Sequence, residues 1–275
     1  MDSSVRIHPT SIVEDGAVLG DGVEIGPFCT VGPHVELEAG VRLISHVVLA
    51  GHTRIGAGTV VYPFASLGTP PQSYHYKGEP SRLIIGRDCL IREHVTMNVG
   101  TAGGHMETRV GDGCMFMVGT HVAHDCVIGD KVIFANGATL AGHVTVGDNV
   151  FLGGMSAAHQ FVRIGEQCIV GGMCGLRHDL IPFGAMIEGR PGLGGLNIIG
   201  MKRRGLSRPQ IHALRAAYRE LFYGGGTLSD RVERVAGHHA DDENVMRIVD
   251  FVRSAGKRGL TVPIDAEYGE EPDAA

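Results

Sequence analysis

The run Gly119-Thr120-His121-Val122-Ala123-His124-Asp125-Cys126 sets two imidazoles three residues apart, with a carboxylate directly after the second. An imidazole whose ordinary pKa lies near ~6.5 changes charge close to neutral pH, which suits it to take a proton from a nucleophile. A carboxylate on its far nitrogen would fix the tautomer and stabilise the imidazolium. A second chemistry is open to the same residues, because neutral imidazole ligates zinc and three suffice for a catalytic centre. His143 follows His124 by 19 residues and His159 follows by another 16, so either reading has further imidazoles to recruit. A third reading is a non-catalytic scaffold whose 15 histidines are solvated surface.

Which reading holds depends on what positions these side chains. From Ile7 an apolar residue returns every sixth position: Val13, Leu19, Ile25, Val31, Leu37, Leu43, Leu49, Ile55, Val61 and Leu67. The beat resumes at Ile85, Ile91 and Met97, then runs from Val110 through Val122, Ile128, Leu140 and Ala158 to Leu176. A period of six fits neither the helical 3.6 nor simple strand alternation. It is the hexapeptide signature of a mainly β fold, a left-handed parallel β-helix with triangular coils, in which each coil buries its apolar side chains against its neighbours. In this phase Val122 and Cys126 point inward, which places His124 and Asp125 on the outer wall, with His143 and His159 stacked beside them on successive coils.

Two stretches interrupt the beat. Residues 68–84 (GTPPQSYHYKGEPSRLI) preserve the phase, whereas residues 98–109 (NVGTAGGHMETR) shift it. Both read as loops projecting from a rigid scaffold, where function tends to gather. Beyond Leu176 the period decays and helical spacing begins. Ser207, Thr227 and Asp242 are N-cap candidates for three amphipathic helices, the first with Pro209 in its first turn. The expected organisation is a β-helix over 1–190, a C-terminal helical domain over 191–260, and an acidic tail over 261–275 with the composition of a disordered segment.

Composition narrows the partners. A net charge of −6 argues against a general nucleic-acid binder. Neither a basic, apolar leader nor an apolar run of membrane-spanning length is present, so a cytoplasmic protein without an integral membrane segment is expected. Glycine, at 42 residues, serves the turns, and the absence of Trp suits a narrow interior. Cys29, Cys89, Cys114, Cys126, Cys168 and Cys174 all stand four residues after an apolar hexad position, and no C-x-x-C pair occurs. They are read as reduced core fillers, not as metal or redox sites.

Longer motifs carry a resemblance. His121 to Cys126, Ala135-Asn136-Gly137-Ala138-Thr139-Leu140-Ala141-Gly142-His143-Val144, and Gly153-Gly154-Met155 to His159-Gln160-Phe161 resemble the bacterial UDP-N-acetylglucosamine acyltransferases that open lipid A synthesis. Ile25-Gly26-Pro27-Phe28, Ser45-His46-Val47-Val48, Gly78-Glu79-Pro80 and Leu196-Asn197 to Lys202-Arg203-Arg204-Gly205 also match. The resemblance implies that His124 is the general base, Asp125 its orienting partner and the Gly142 N–H an oxyanion donor. It implies transfer of a 3-hydroxyacyl group from acyl carrier protein to the 3-position of the UDP-sugar, with the carrier's thioester as co-substrate and no cofactor. His121, His143, His159 and Gln160 would line the sugar and acyl sites, with Asn197 and Arg204 on the nucleotide. Lys202 and Arg203 would offer positive charge to diphosphate or to the carrier protein. Gly172 falls at the family's acyl-chain ruler, beside Met173. A homotrimer with active sites between subunits is implied as well.

The departures bear on the acceptor. Where the family commonly has Asp-Leu-Lys before Gly-Glu-Pro, this chain reads Gln72-Ser73-Tyr74-His75-Tyr76-Lys77, and Ile199 stands in place of a usual Glu. The sugar-nucleotide contacts therefore fall to Gln72, Ser73 and His75, and the 3-amino analogue, giving an amide, is an alternative acceptor. The related N-acyltransferase carries an extra N-terminal domain, for which hexads starting at Ile7 are expected to leave no room. The zinc reading would make the chain a relative of hexapeptide carbonic anhydrases, but those resemble an H-x4-H pair where this chain has H-x2-H.

Overall fold

The fold was analysed in a computed structural model, which describes residues 4–189, 192–254 and 256–263. Two-residue strands alternate with four-residue turns, and every third strand lies in the same sheet. Among the described residues the first sheet runs from Arg6–Ile7 to Ala185–Met186. The second runs from Ile12–Val13 to Gly175–Leu176, and the third from Val18–Leu19 to Arg163–Ile164. All paired strands within the sheets are parallel, in registers such as Ile7 to Ile25 and Val122 to Leu140. The left-handed parallel β-helix read from the hexads is therefore the architecture.

Each hexad residue is the inward member of its strand, so one apolar column runs down the interior. Ile25, Val31, Leu67, Ile91, Val122 and Val170 are essentially inaccessible, and Phe116 and Phe134 pack with ring centroids 4.7 Å apart. Full burial of such a side chain is worth about 1.5–3 kcal/mol, and the repeat supplies it coil after coil. All six cysteines are free and buried. Burial pushes up the thiols of Cys126, to about 12, and of Cys168, so these two fill space and resist ionisation.

Both breaks in the hexads are loops joining the second sheet to the third, but they are shorter than the sequence suggests. Strands Ser66–Thr69 and Arg82–Ile85 extend into the first, leaving 70–81 as loop. Strands Thr96–Asn98 and Glu107–Val110 confine the second to 99–106. The longer strands form because these coils pair along four residues, Arg82 to Ile85 against both His52 to Ile55 and Glu107 to Val110.

Among the described residues four helices follow the solenoid: α1 (Ile198–Arg203), α2 (Arg208–Tyr223), α3 (Leu228–His238) and α4 (Glu243–Arg253). Ser207 and Thr227 form capping boxes with Gln210 and Asp230, and Asp242 caps α4. The short α1 is absent from the sequence reading, because its six residues with a central Gly200 show no apolar period. The tail also begins later than its composition implies. Thr261 is buried, its N–H donates to Asp179 O, and Val262 O accepts from Leu193 N. The rest of the acidic stretch, 264–275, lies outside the described residues.

Candidate active site

The triangular coil has three corners, here numbered one (first sheet to second), two (second to third) and three (third to first). Corner two carries both loops and, on the coils next to them, His124, Asp125, Gly142, His143, His159, Gln160 and Phe161. Asp125, His143 and Phe161 occupy the same turn position on successive coils, all with left-handed φ, at 59°, 63° and 65°. That conformation is uncommon for residues with a Cβ, and Asp and His tolerate it better than most. It turns these three side chains into one file down the corner.

At the head of the file His124 Nδ1 lies 2.8 Å from Asp125 Oδ2. His143 Nδ1 lies 3.9 Å from the same oxygen, and the two imidazole rings meet edge to face at 5.0 Å. The next rung is Phe161, stacked on His143 at 4.5 Å with an interplanar angle of 8°, and Lys257 Nζ caps that ring at 4.3 Å. His159, expected in the column, is exposed beside it, its Nδ1 3.4 Å from Gln160 O. The register explains this: strands pair across 18 residues, and the residue one coil after His143 is Phe161.

Asp125 departs from the sequence reading in a way that matters. It was expected on the outer wall, yet only 1% of its surface is accessible, because the 99–106 loop folds over it. Its carboxylate accepts from Thr101 N at 3.1 Å, Thr101 Oγ1 at 2.6 Å and His105 N at 2.8 Å, and its own N–H donates to buried Thr108 Oγ1 at 2.8 Å. Burial alone would raise the carboxyl's pKa. The bonds from Thr101, His124 and His105 outweigh it and hold the group below the usual carboxylate range. Gly104 makes the cover possible, since a Cβ there would stand 2.3–2.5 Å from the carboxylate atoms. Thr101, Gly104, His105 and Thr108 escaped the sequence reading; the only signal was the phase slip that marked their segment as an insertion.

Gly142 sits against His124. A Cβ at this residue would lie 2.6 Å from His124 Cε1 and 2.7 Å from Nε2, so only glycine leaves room for the ring. Among the described residues no acceptor takes the Gly142 N–H. His121 is half-buried on the adjacent strand, its Nδ1 2.8 Å from Thr96 Oγ1. Burial, then the charge of His124, lowers the pKa of His121. Burial also lowers that of His143, against the pull of Asp125 and helped by His124, His105 and Lys257.

Among the described residues no three imidazoles come together as a carbonic-anhydrase-like zinc site needs; the group that does gather is His124, Asp125 and His143, whose ligand atoms lie within 4.8 Å of one another. Two imidazoles share one carboxylate, a third is bonded to Thr96 and the fourth faces solvent. The arrangement is that of a histidine–carboxylate pair with an open Nε2 beside an unclaimed N–H.

Comparison with known proteins supplies the family. Residues 107–142 match the model of the bacterial transferase hexapeptide (six repeats), and residues 179–261 match that of UDP-N-acetylglucosamine O-acyltransferase, domain 2. An acyl-acyl-carrier-protein UDP-N-acetylglucosamine O-acyltransferase from Azorhizobium caulinodans is 59% identical over 96% of this chain and 98% of its own. The Caulobacter vibrioides enzyme of the same name is 53% identical over 94% and 98%. The chain belongs to this acyltransferase family. A solved UDP-N-acetylglucosamine O-acyltransferase from Moraxella catarrhalis superposes with a TM-score of 0.89 at 35% identity, over 93% of this chain and 99% of that one.

In this acyltransferase the other residues expected at the site lie partly at corner two and partly elsewhere on the triangle. Gln72, Ser73 and His75 are on the 70–81 loop, with the Ser73 hydroxyl accepting from His75 N at 3.3 Å. Asn197 is buried as the N-cap of α1, its amide donating to Gln167 O at 2.9 Å and accepting from Gly200 N at 2.9 Å. Lys202, Arg203 and Arg204 are exposed at the end of α1, and Arg204 Nη2 donates to Asn149 O at 2.7 Å. Asn149 and Gln167 are corner-three residues. Gly172 and Met173 are on corner one, where Met173 is 76% exposed and a Cβ on Gly172 would stand 3.3 Å from Gly154 O. Among the described residues no helix is long and apolar enough to cross a membrane.

Proposed function

We propose that this acyltransferase moves a 3-hydroxyacyl group from acyl carrier protein to the 3-position of UDP-N-acetylglucosamine, the opening step of lipid A synthesis, with His124 as the general base. The observation that carries the assignment of the base is the His124–Asp125 contact, 2.8 Å at Nδ1, which leaves Nε2 free beside Gly142. His124 takes the proton from the sugar's 3-hydroxyl as its oxygen attacks the thioester carbonyl. The negative charge that develops on the carbonyl oxygen falls to the Gly142 N–H. The C–S bond then breaks, and the carrier's thiol leaves with the proton that His124 took. Asp125 stays ionised throughout, orienting the ring and offsetting its positive charge. The thioester arrives on the carrier protein as co-substrate, and the chemistry calls on no further cofactor.

The homotrimer is supported by where the groups lie. The base stands on corner two, the residues toward the nucleotide reach corner three, and the acyl ruler Gly172 and Met173 stand on corner one. A flank of a second copy beside corner two would bring such groups to one cleft. The outer face of the first sheet presents Leu90, Met115, Ile133, Phe151 and Ile169 in register, an apolar strip suited to line an acyl groove at that junction.

The test is transfer from 3-hydroxyacyl carrier proteins of graded chain length to an equimolar mixture of UDP-N-acetylglucosamine and its 3-amino analogue, with products resolved by mass. An ester of the 3-hydroxyl sugar is expected. A dominant amide product would move the acceptor to the amino sugar, the outcome that Ser73, His75 and Ile199 keep open, and no transfer would overturn the assignment.

A further inference from the structure

The Gly78-Glu79-Pro80 motif has no part in the chemistry above, yet Glu79 joins the two loops of corner two. Its Oε1 accepts from Ala102 N at 3.0 Å, and its Oε2 accepts from Lys77 N at 2.7 Å. Ala102 adjoins Thr101, whose N–H and hydroxyl both hold Asp125. On the other side, the Glu79 carbonyl accepts from Tyr76 Oη at 3.1 Å and from Ser81 N at 2.7 Å, which ties it into the loop that carries Gln72, Ser73 and His75. A continuous set of bonds thus runs from the acceptor loop through Glu79, Ala102 and Thr101 to Asp125 and His124.

The bases of the two loops are fixed without Glu79. Buried Asn98 donates to Thr69 O, Thr69 Oγ1 and Pro70 O, and Gly100 N donates to Arg82 O at 3.2 Å. Glu79 therefore acts at the outer end, where the cover over Asp125 would otherwise rest on its own bonds alone. Backbone N–H groups, that of Ala102 foremost, hold its carboxyl below the usual glutamate range, so the charged acceptor persists across the working pH.

We infer that Glu79 is a positioning residue: it clamps the 99–106 loop onto Asp125 and couples the seating of the sugar nucleotide on the 70–81 loop to the alignment of the His124–Asp125 pair. The coupling rests on the acyl-transfer reading, but the clamp itself is separately observable. A residue acting this way changes turnover more than binding, because a small misplacement of a base costs on the order of 10- to 100-fold.

The experiment uses the full chain with Glu79→Ala and Glu79→Gln, each alone and combined with Asp125→Ala. Glu79→Ala is expected to lower kcat about 10- to 100-fold with KM for either substrate moving less than about threefold. Glu79→Gln keeps one acceptor oxygen for Ala102 and is expected to recover part of that loss. In the Asp125→Ala background, Glu79→Ala should cost nothing more, since the two act as a unit. Amide exchange at Thr101 and His105 should quicken in Glu79→Ala while the solenoid strands keep their protection. Unchanged exchange at those amides, full additivity with Asp125→Ala, or a loss confined to KM would each overturn the proposal. If Asp125→Ala itself left kcat untouched, the catalytic pair would fail, and the exchange arm would still decide the clamp.

Discussion

Corners two and three are built from the same hexad and put aspartate to opposite uses. At corner three, Asp112 Oδ1 accepts from Arg87 N, Asp130 Oδ1 from Asp112 N and Asp148 Oδ1 from Asp130 N, each at 2.8 Å. These carboxylates stand in solvent and brace one coil to the next. The N–H of Arg87, then its guanidinium, holds the Asp112 carboxyl low. At corner two, Asp125 is sealed from water, receives two backbone N–H groups on Oδ1 and a hydroxyl on Oδ2 from an inserted loop, and meets an imidazole at that same Oδ2. The carboxylate is the same in both places. What differs is whether the turn is bare or covered, and the covered turn is where bonds to a histidine gain strength from exclusion of water.

The sharpest way to break this contrast is at His124. His124→Ala is expected to lower kcat by about 10²- to 10⁴-fold, the usual worth of a positioned general base, with the thermal midpoint held close to wild type because its side chain is not part of the core. Full acyl transfer by this variant would reduce corner two to scaffold, like corner three, and would support the non-catalytic reading or another base.

A finer test exchanges the two aspartate environments. Gly104→Ala places a Cβ against the Asp125 carboxylate and should lift the loop, costing about 10-fold or more in kcat. Asp130→Ala removes the acceptor for Asp112 N at an exposed turn, where a hydrogen bond is worth about 1 kcal/mol or less. It should lower the urea midpoint slightly and leave kcat within about twofold. A large loss of turnover in Asp130→Ala would mean that corner three reaches the chemistry after all.

The contrast also marks the limit of reading this chain by pattern. The hexads located each inward residue because the coil repeats its own geometry, and the caps Ser207, Thr227 and Asp242 are local chemistry that a sequence displays. Motif resemblance singles out His124 and Gly142, which the fold brings against each other. The burial of Asp125 was not, because its cover comes from Thr101 to His105, residues that lie out of phase with the coils and return to the corner only in three dimensions. His159 stands out in the sequence by its chemistry, but the pairing across 18 residues puts Phe161, not His159, on the coil after His143. Asn197, chosen by resemblance, is occupied in capping α1.

The smallest expected effect separates the two corners by pH. His121 and His143 are held neutral in the fold by burial, so their folded pKa values lie below that of the unfolded chain, near ~6.5. As pH falls through that value the unfolded chain takes up protons that the fold refuses, and stability declines until the folded pKa is passed. Asp125 and Asp112 behave in the opposite sense: their lowered pKa values add stability above the unfolded carboxylate value near ~3.9, and that contribution is lost only as pH falls further, through the folded values. The histidine window opens at mildly acid pH and the aspartate window well below it. Urea midpoints measured from pH 7.5 to 5.5 should therefore fall in the wild type, fall less in His143→Gln, and fall as in the wild type in Asp130→Ala. An equal decline in His143→Gln would place the mildly acidic titration outside corner two and remove burial of its imidazoles as the cause.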